Sequence, residues 1–448
     1  MISIKLLFVT MQLMKKPELL SPAGSLKNMR YAFAYGADAV YAGQPRYSLR
    51  VRNNEFSKES TLAQGIEEAH TRGKLFFLAS NLSPHNNKVR TYLADLEPII
   101  DMGPDALIMS DPGLIMMVRE RWPDMPIHLS VQSNAINFAT VMFWQSLGLR
   151  RIILSRELSL KEVAEIREEC PDIELEVFVH GALCIAYSGR CLLSGYMSHR
   201  DSNQGACTNT CRWKYNTLEA RETGTGDIVP TGPESNELPV VLLEEETRPG
   251  ELLPAYEDEH GTYIMNSKDL RAVQHVHTLA AMGIDSLKIE GRTKSFYYTA
   301  RTAQVYRRAI DDAVAGKPFD MDMMDELEGL ANRGYTEGFY RRHPPGEYQN
   351  YERGASTSDR QQFVGDIVDS KDGWLTVDVK NRFETGDHME LVTPSGNLTF
   401  SLEKIIGRDG KHTDIAPGSG HIVKIPLPDT IDAFRINEFA LLVRYLSP

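Results

Sequence analysis

Several things are scarce or missing in this 448-residue chain, and each shortage removes a class of protein. Five cysteines are too few for a disulfide framework, so a reducing compartment, the cytosol, is expected. No apolar run reaches the roughly 18 residues that a membrane-spanning helix needs. Cations are the minority: 49 Lys and Arg face 61 Asp and Glu, and the net charge of -12 argues at first sight against a nucleic-acid partner. H-E-x-x-H, G-x-S-x-G and the P-loop are all absent, so a zinc protease, an α/β-hydrolase and a P-loop NTPase lack their signatures.

The acid is concentrated. Between Glu234 and Glu259 nine acidic residues face only Arg248, so this stretch carries -8 and the rest of the chain only -4. It lies in a polar, Gly- and Pro-rich insertion, residues 216–262, that reads as solvated surface. The N-terminal text MISIKLLFVTMQLMKK resembles a signal peptide only superficially. Lys5 and Gln12 break its apolar segment and no small-x-small cleavage site follows. Residues 1–16 are therefore expected to be an extension, with Met14 as an alternative start.

From 17 to 319 short apolar strands alternate with amphipathic helices. Candidate strands are Glu18–Ser21, Ala39–Ala42, Leu75–Ser80, Ala106–Ser110, His128–Val131, Ile152–Ser155, Leu175–His180 and Ser286–Glu290, with a ninth short segment at Tyr263–Asn266. Gly36, Gly103, Gly148 and Gly283 each stand where a helix should end, about three residues before a strand, as a left-handed helix terminus requires. Eight such units predict an α/β fold, a TIM-type (β/α)8-like barrel. An open doubly wound sheet is the second choice, weakened because no G-x-G-x-x-G follows the first strand. Residues 320–360 read as a linker. From 361 to 448, short strands separated by Asp-Gly, Pro-Ser-Gly and Pro-Gly-Ser-Gly turns predict a small all-β barrel domain.

Four of the five cysteines, Cys184, Cys191, Cys207 and Cys211, fall in one loop, 181–215, spaced C-x6-C-x15-C-x3-C directly after the seventh strand. That loop lies at the C-terminal face, where barrels of this type build active sites. Structural zinc favours tight C-x2-4-C pairs, and only the last pair fits. Four thiolates with wide spacing suit an iron–sulfur cluster. Cys170, one strand away, reads as an ordinary buried thiol.

Other candidates sit at strand ends. Glu290, Arg292 and Lys294 follow the last strand, and the two cations point toward a helix that Ser295 opens, suited to a carboxylate or phosphate. Arg156 and Glu157, His128 and Gln132, and His180 occupy similar positions, His180 gaining interest because it begins the cysteine loop. Cations interleaved with aromatics mark the same loops. Arg46, Arg50 and Arg52 flank Tyr47, and Arg190, Arg200, Arg212 and Lys214 accompany Tyr187, Tyr196, Trp213 and Tyr215. Arg301, Arg307 and Arg308 line the last barrel helix. This composition suits a phosphate backbone and unstacked bases, or simply a charged rim.

PELLSPAGSLKNMRYAFAYGADAVYAG, VFVHGALCIAYSGRCLLSG, GACTNTCRW and SLKIEGRTKS resemble the collagenase-like peptidase family U32. The resemblance is strong over about 17–315 and includes a branch that hydroxylates tRNA. It implies 5-hydroxylation of the wobble uridine, a grip on the anticodon arm, prephenate as co-substrate, and a [4Fe-4S] cluster on Cys184, Cys191, Cys207 and Cys211. A protein partner delivering electrons or the cluster would belong to the same picture. Glu290, Arg292, Lys294, His180 and Glu157 are the catalytic candidates. The alternatives are a peptidase, for which the chain offers no recognisable nucleophile, and an iron–sulfur accessory protein without chemistry of its own. The local basicity of the predicted mouth reverses the first inference from net charge: tRNA binding is expected on one face, weakened by salt.

Overall fold

The computed structural model describes residues 15–49, 54–183, 187, 190, 268–332, 334–341, 360–428, 436 and 439–446, with the backbone of six short strands between 220 and 262. The four clustered cysteines, Arg50, Arg52, Arg200, Arg212 and the segment Tyr263–Asn266 lie outside the described residues. Within the acidic insertion the short strands pair as three antiparallel hairpins.

Eight parallel strands form the barrel: β1 (Glu18–Pro22), β2 (Ala39–Gly43), β3 (Leu75–Ser80), β4 (Ala106–Met109), β5 (Ile127–Leu129), β6 (Arg151–Ile153), β7 (Glu174–Ala182) and β9 (Ser286–Ile289). β9 pairs with both β1 and β7, Ser286 lying opposite Glu18 and Glu176, so the ring closes. An additional strand, β8 (Asp269–Arg271), runs antiparallel along the end of β7 and pairs in parallel with β10 (Tyr335–Thr336). The glycines expected at the helix-to-strand turns, Gly36, Gly103, Gly148 and Gly283, all have φ between 76° and 102°, where a side chain would be strained.

Capping defines the helices. Ser25 accepts from the Asn28 amide to start α1 (Leu26–Ala34), with Met29 and Phe33 buried. Ser159 and Glu162 form a reciprocal capping box at the head of α2 (Leu160–Glu169). Ser295 caps the 19-residue α3 (Phe296–Val314), whose Ala303, Tyr306 and Ile310 are fully buried. No helix among the described residues is long and apolar enough to cross a membrane.

The C-terminal residues form an antiparallel all-β domain. Its central strands are β11 (Gln361–Lys371), β12 (Trp374–Val379), β13 (His388–Thr393), β14 (Gly396–Ser401), β15 (Ile422–Pro426) and β16 (Leu441–Tyr445), paired in the order β14-β13-β16-β11-β12-β15. Their shared core is apolar, with Val364, Leu375, Val377, Leu391 and Ile425 fully buried. α3 seals this domain to the barrel. Arg301, fully buried, donates to both oxygens of Glu390 at 3.0 and 2.6 Å, and Tyr297 stacks on Phe363 at 5.1 Å. Tyr35 completes the seam by donating to the Val392 and Phe439 carbonyls.

Candidate active site

In a barrel of this type the interior normally fills with branched apolar side chains. Here several inward positions are charged. At the base, Arg151 on β6 reaches Glu18 at 2.6 Å, Glu174 at 2.9 Å and Glu176 at 3.1 Å. Burial opposes the Arg151 charge, but these carboxylates hold it firmly protonated. One layer up, the Lys288 ammonium is 2.8 Å from the second oxygen of Glu176 and 4.4 Å from the centre of the Tyr41 ring. Burial lowers the Lys288 pKa, with Glu176 opposing that shift. His128 on β5 lies edge-on to Phe77 at 4.8 Å; burial, together with Arg151 and Lys288, keeps its imidazole neutral.

The top layer is the mouth. The Glu290 carboxylate accepts from the Tyr41 hydroxyl at 3.0 Å and stands 3.8 Å from the Arg156 guanidinium. Arg156 donates to the Ala182 carbonyl at 2.9 Å and lies 3.8 Å from the centre of the Phe178 ring. The Glu290 backbone is fixed on both sides, its amide donating to the His180 carbonyl at 2.8 Å and its own carbonyl accepting from Tyr298 at 2.8 Å. A side chain at Gly181 would come within 2.3 Å of that carbonyl, so only glycine lets β7 pass this close. Arg292, 8% exposed, donates to Ser48 at 2.7 Å. Outside it a cleft of about 540 Å³ opens between Ser25 and Asn28 of α1, Asn54, and the Arg292–Lys294 turn.

The structure brings Glu290 and Arg292 into this mouth and sets Lys294 beside it, its ammonium 5.4 Å from the Tyr298 ring centre. Glu157 accepts from Ser155 on the loop after β6. His180 sits among the rings of Tyr298, Tyr306 and Tyr335, its pKa pushed down to about 3 by burial despite the opposing charge of Asp269. Gln132 lies in a short turn after β5, half-buried. Of the loop cations, Arg190 is exposed and Arg46, with its side chain 58% exposed, pairs with Asp95 at 2.9 Å.

The helix cations do something other than expected. Arg301 is buried against Glu390 and is scaffold, while Arg307 reaches Asp38 at 2.8 Å and the more exposed Arg308 reaches Glu326 at 2.5 Å, so each of the three is held in an ion pair. Cys170 is free and buried, as its sequence context suggested. Tyr41, Ser48, Glu176 and Lys288 were not singled out beforehand. A signal was present for two of them, since a Glu or Lys at an inward position of an otherwise apolar strand is costly unless it is paired. Among the described residues no group of three or more His, Cys, Asp or Glu is placed to hold a metal ion.

A model of peptidase family U32 matches residues 24–350, and a model of the U32 C-terminal domain matches 359–437. The chain is 62% identical to tRNA hydroxylation protein P of Escherichia coli, covering 97% of this chain and 98% of that protein. It is 60% identical to the protein of the same name from Haemophilus influenzae, covering 96% of each. A more distant relative, the 23S rRNA 5-hydroxycytidine C2501 synthase of E. coli, is 28% identical over 78% of this chain and 46% of its own length.

Proposed function

The chain belongs to peptidase family U32, and from that premise we propose that it hydroxylates tRNA at C5 of the wobble uridine, using prephenate as co-substrate and a [4Fe-4S] cluster. The observation that carries this reading is the mouth itself. One carboxylate, Glu290, is held by Tyr41 with Arg156 alongside it, and Arg292 lies at the same end of the barrel. That is an arrangement for receiving an anionic co-substrate beside a group able to accept a proton. The names of the relatives support hydroxylation of a pyrimidine in RNA.

The chain leaves β7 at Leu183, one residue after the Ala182 carbonyl that Arg156 binds, and Cys184 is next in sequence. Four thiols in the loop that starts there, Cys184, Cys191, Cys207 and Cys211, have the donor chemistry of an iron–sulfur cluster. When bound, such a cluster supplies one-electron transfer. The exposed Arg46 and Arg190, with Arg50, Arg52, Arg200 and Arg212 of the same loops, are the proposed contacts to the anticodon arm. A protein that delivers electrons or the cluster completes the set of partners.

Nucleoside mass spectrometry of tRNA from a deletion strain tests the reading. In a background with no second enzyme of this kind, 5-hydroxyuridine derivatives should vanish, return with the wild-type gene, and fail to return with Glu290→Gln. Unchanged levels after deletion overturn it. Iron and sulfide analysis of anaerobically purified protein tests the cluster separately, and zinc as the only metal overturns that part.

A further inference from the structure

Lys288 takes no part in the chemistry proposed above, yet it is buried at the centre of the barrel. Its ammonium lies 4.4 Å from the centre of the Tyr41 ring and 5.5 Å from that of Phe178. Each of those rings also carries a cation of the mouth: Arg292 lies 5.8 Å from Tyr41, and Arg156 lies 3.8 Å from Phe178. Tyr41 in turn donates to Glu290. One ammonium, anchored on Glu176 at 2.8 Å, thus lies within about 6 Å of the centres of both rings that the mouth guanidiniums also approach.

A purely structural role accounts poorly for this arrangement. A buried Lys–Glu pair is commonly no more stabilising than two well-packed apolar residues of the same size, and an apolar pair is what barrels of this type usually carry. Cation–π contacts, by contrast, strengthen when desolvated and depend on where the ring sits. We infer that Lys288 is a positioning residue: held by Glu176, it fixes the Tyr41 and Phe178 rings and through them the Arg292 and Arg156 guanidiniums that bind a carboxylate-bearing co-substrate. The inference rests on the proposed function, since it assumes that this mouth binds such a molecule.

The test replaces the pair without orphaning a charge, as Lys288→Met with Glu176→Leu, and measures two affinities on the full chain. Prephenate binding is read by calorimetry and tRNA binding by filter retention. The expected result is a prephenate Kd raised about 10- to 100-fold, the range found when a group that orients a metal ligand is removed, with the tRNA Kd unchanged. Equal prephenate affinity in wild type and double variant overturns the inference, and so does a parallel loss of both affinities. If the double variant does not fold, Phe178→Leu removes one ring without touching a charge and is expected to weaken prephenate binding selectively; an unchanged Kd there overturns the inference equally. A wild-type protein that binds no prephenate at all defeats the functional reading instead, so the two failures are distinguishable.

Discussion

The two interiors of this molecule are built on different principles. The C-terminal sheet encloses Val364, Leu375, Val377, Leu391 and Ile425, all apolar and all fully buried. The barrel encloses Glu18, Arg151, Glu176 and Lys288 in a ladder of ion pairs that ends just below Tyr41 and Glu290. An apolar core loses stability in proportion to the volume removed at each site. A buried ion ladder responds to whether charges remain matched, so deleting one member harms it more than deleting a complete pair. Buried charge is not confined to the barrel, since Arg301 meets Glu390 at the seam, but only inside the barrel are several such charges linked in succession.

Arg151→Met is expected to be the most destabilising single change in the barrel interior. It leaves Glu18, Glu174 and Glu176 facing one another without their shared counter-ion. A loss of about 3–5 kcal/mol is expected from urea unfolding. Lys288→Met with Glu176→Leu, which removes a matched pair, should cost far less. If the single and double changes cost the same, the ladder does not behave as a charge-matched unit. Leu391→Ala supplies the contrast in the sheet, with an expected loss of about 2–5 kcal/mol set by the lost apolar burial and the cavity left behind.

Acid strikes the barrel domain in particular, because it buries neutral imidazoles. His180, with its pKa near 3, binds its proton far more readily unfolded than folded. Its contribution is fully present above the ordinary pKa of 6.5 and is lost as pH falls from there through about 3. Within that window the loss for His180 is about 1.4 kcal/mol per pH unit. His128 acts in the same direction. His180→Phe should therefore show a shallower loss of stability below pH 6.5 than wild type, measured by chemical unfolding at several pH values. An identical slope would mean that His180 is not held neutral in the fold.

The architecture was legible because it is written locally. Most of the eight barrel strands are largely apolar segments bounded by turns, and the four helix-ending glycines mark the repeat. Six C-terminal strands were legible from the turn residues between them. β8 was not, since three residues, Asp269–Arg271, carry no period, and the strand forms through distant partners, the end of β7 and β10. At the site, Glu290 and Arg292 were visible as strand-end groups. What held them was not visible, since Tyr41 and Ser48 lie 249 and 244 positions away in sequence. The same distance effect misdirected the reading of Arg301, whose partner Glu390 is 89 residues on, in the other domain. A cation on a helix looks alike in sequence whether it faces RNA or a buried carboxylate.

An ion pair in full contact with water contributes little. Lys161 and Glu165 form an i,i+4 pair on α2, outside both interiors, with nitrogen and oxygen 3.7 Å apart and side chains 86% and 57% exposed. Water screens such a pair, and holding two long side chains together costs rotamer freedom, so its contribution is about 0.3–0.5 kcal/mol. Lys161→Ala should shift the urea midpoint barely beyond error, and the shift should disappear in added salt. The identical chemistry, a Lys and a Glu, is thus expected to matter strongly when Lys288 alone is removed, which leaves a buried carboxylate uncompensated, and hardly at all at Lys161. A loss of several kcal/mol at Lys161 would show that burial is not what separates the two pairs, and the contrast between the interiors would need another explanation.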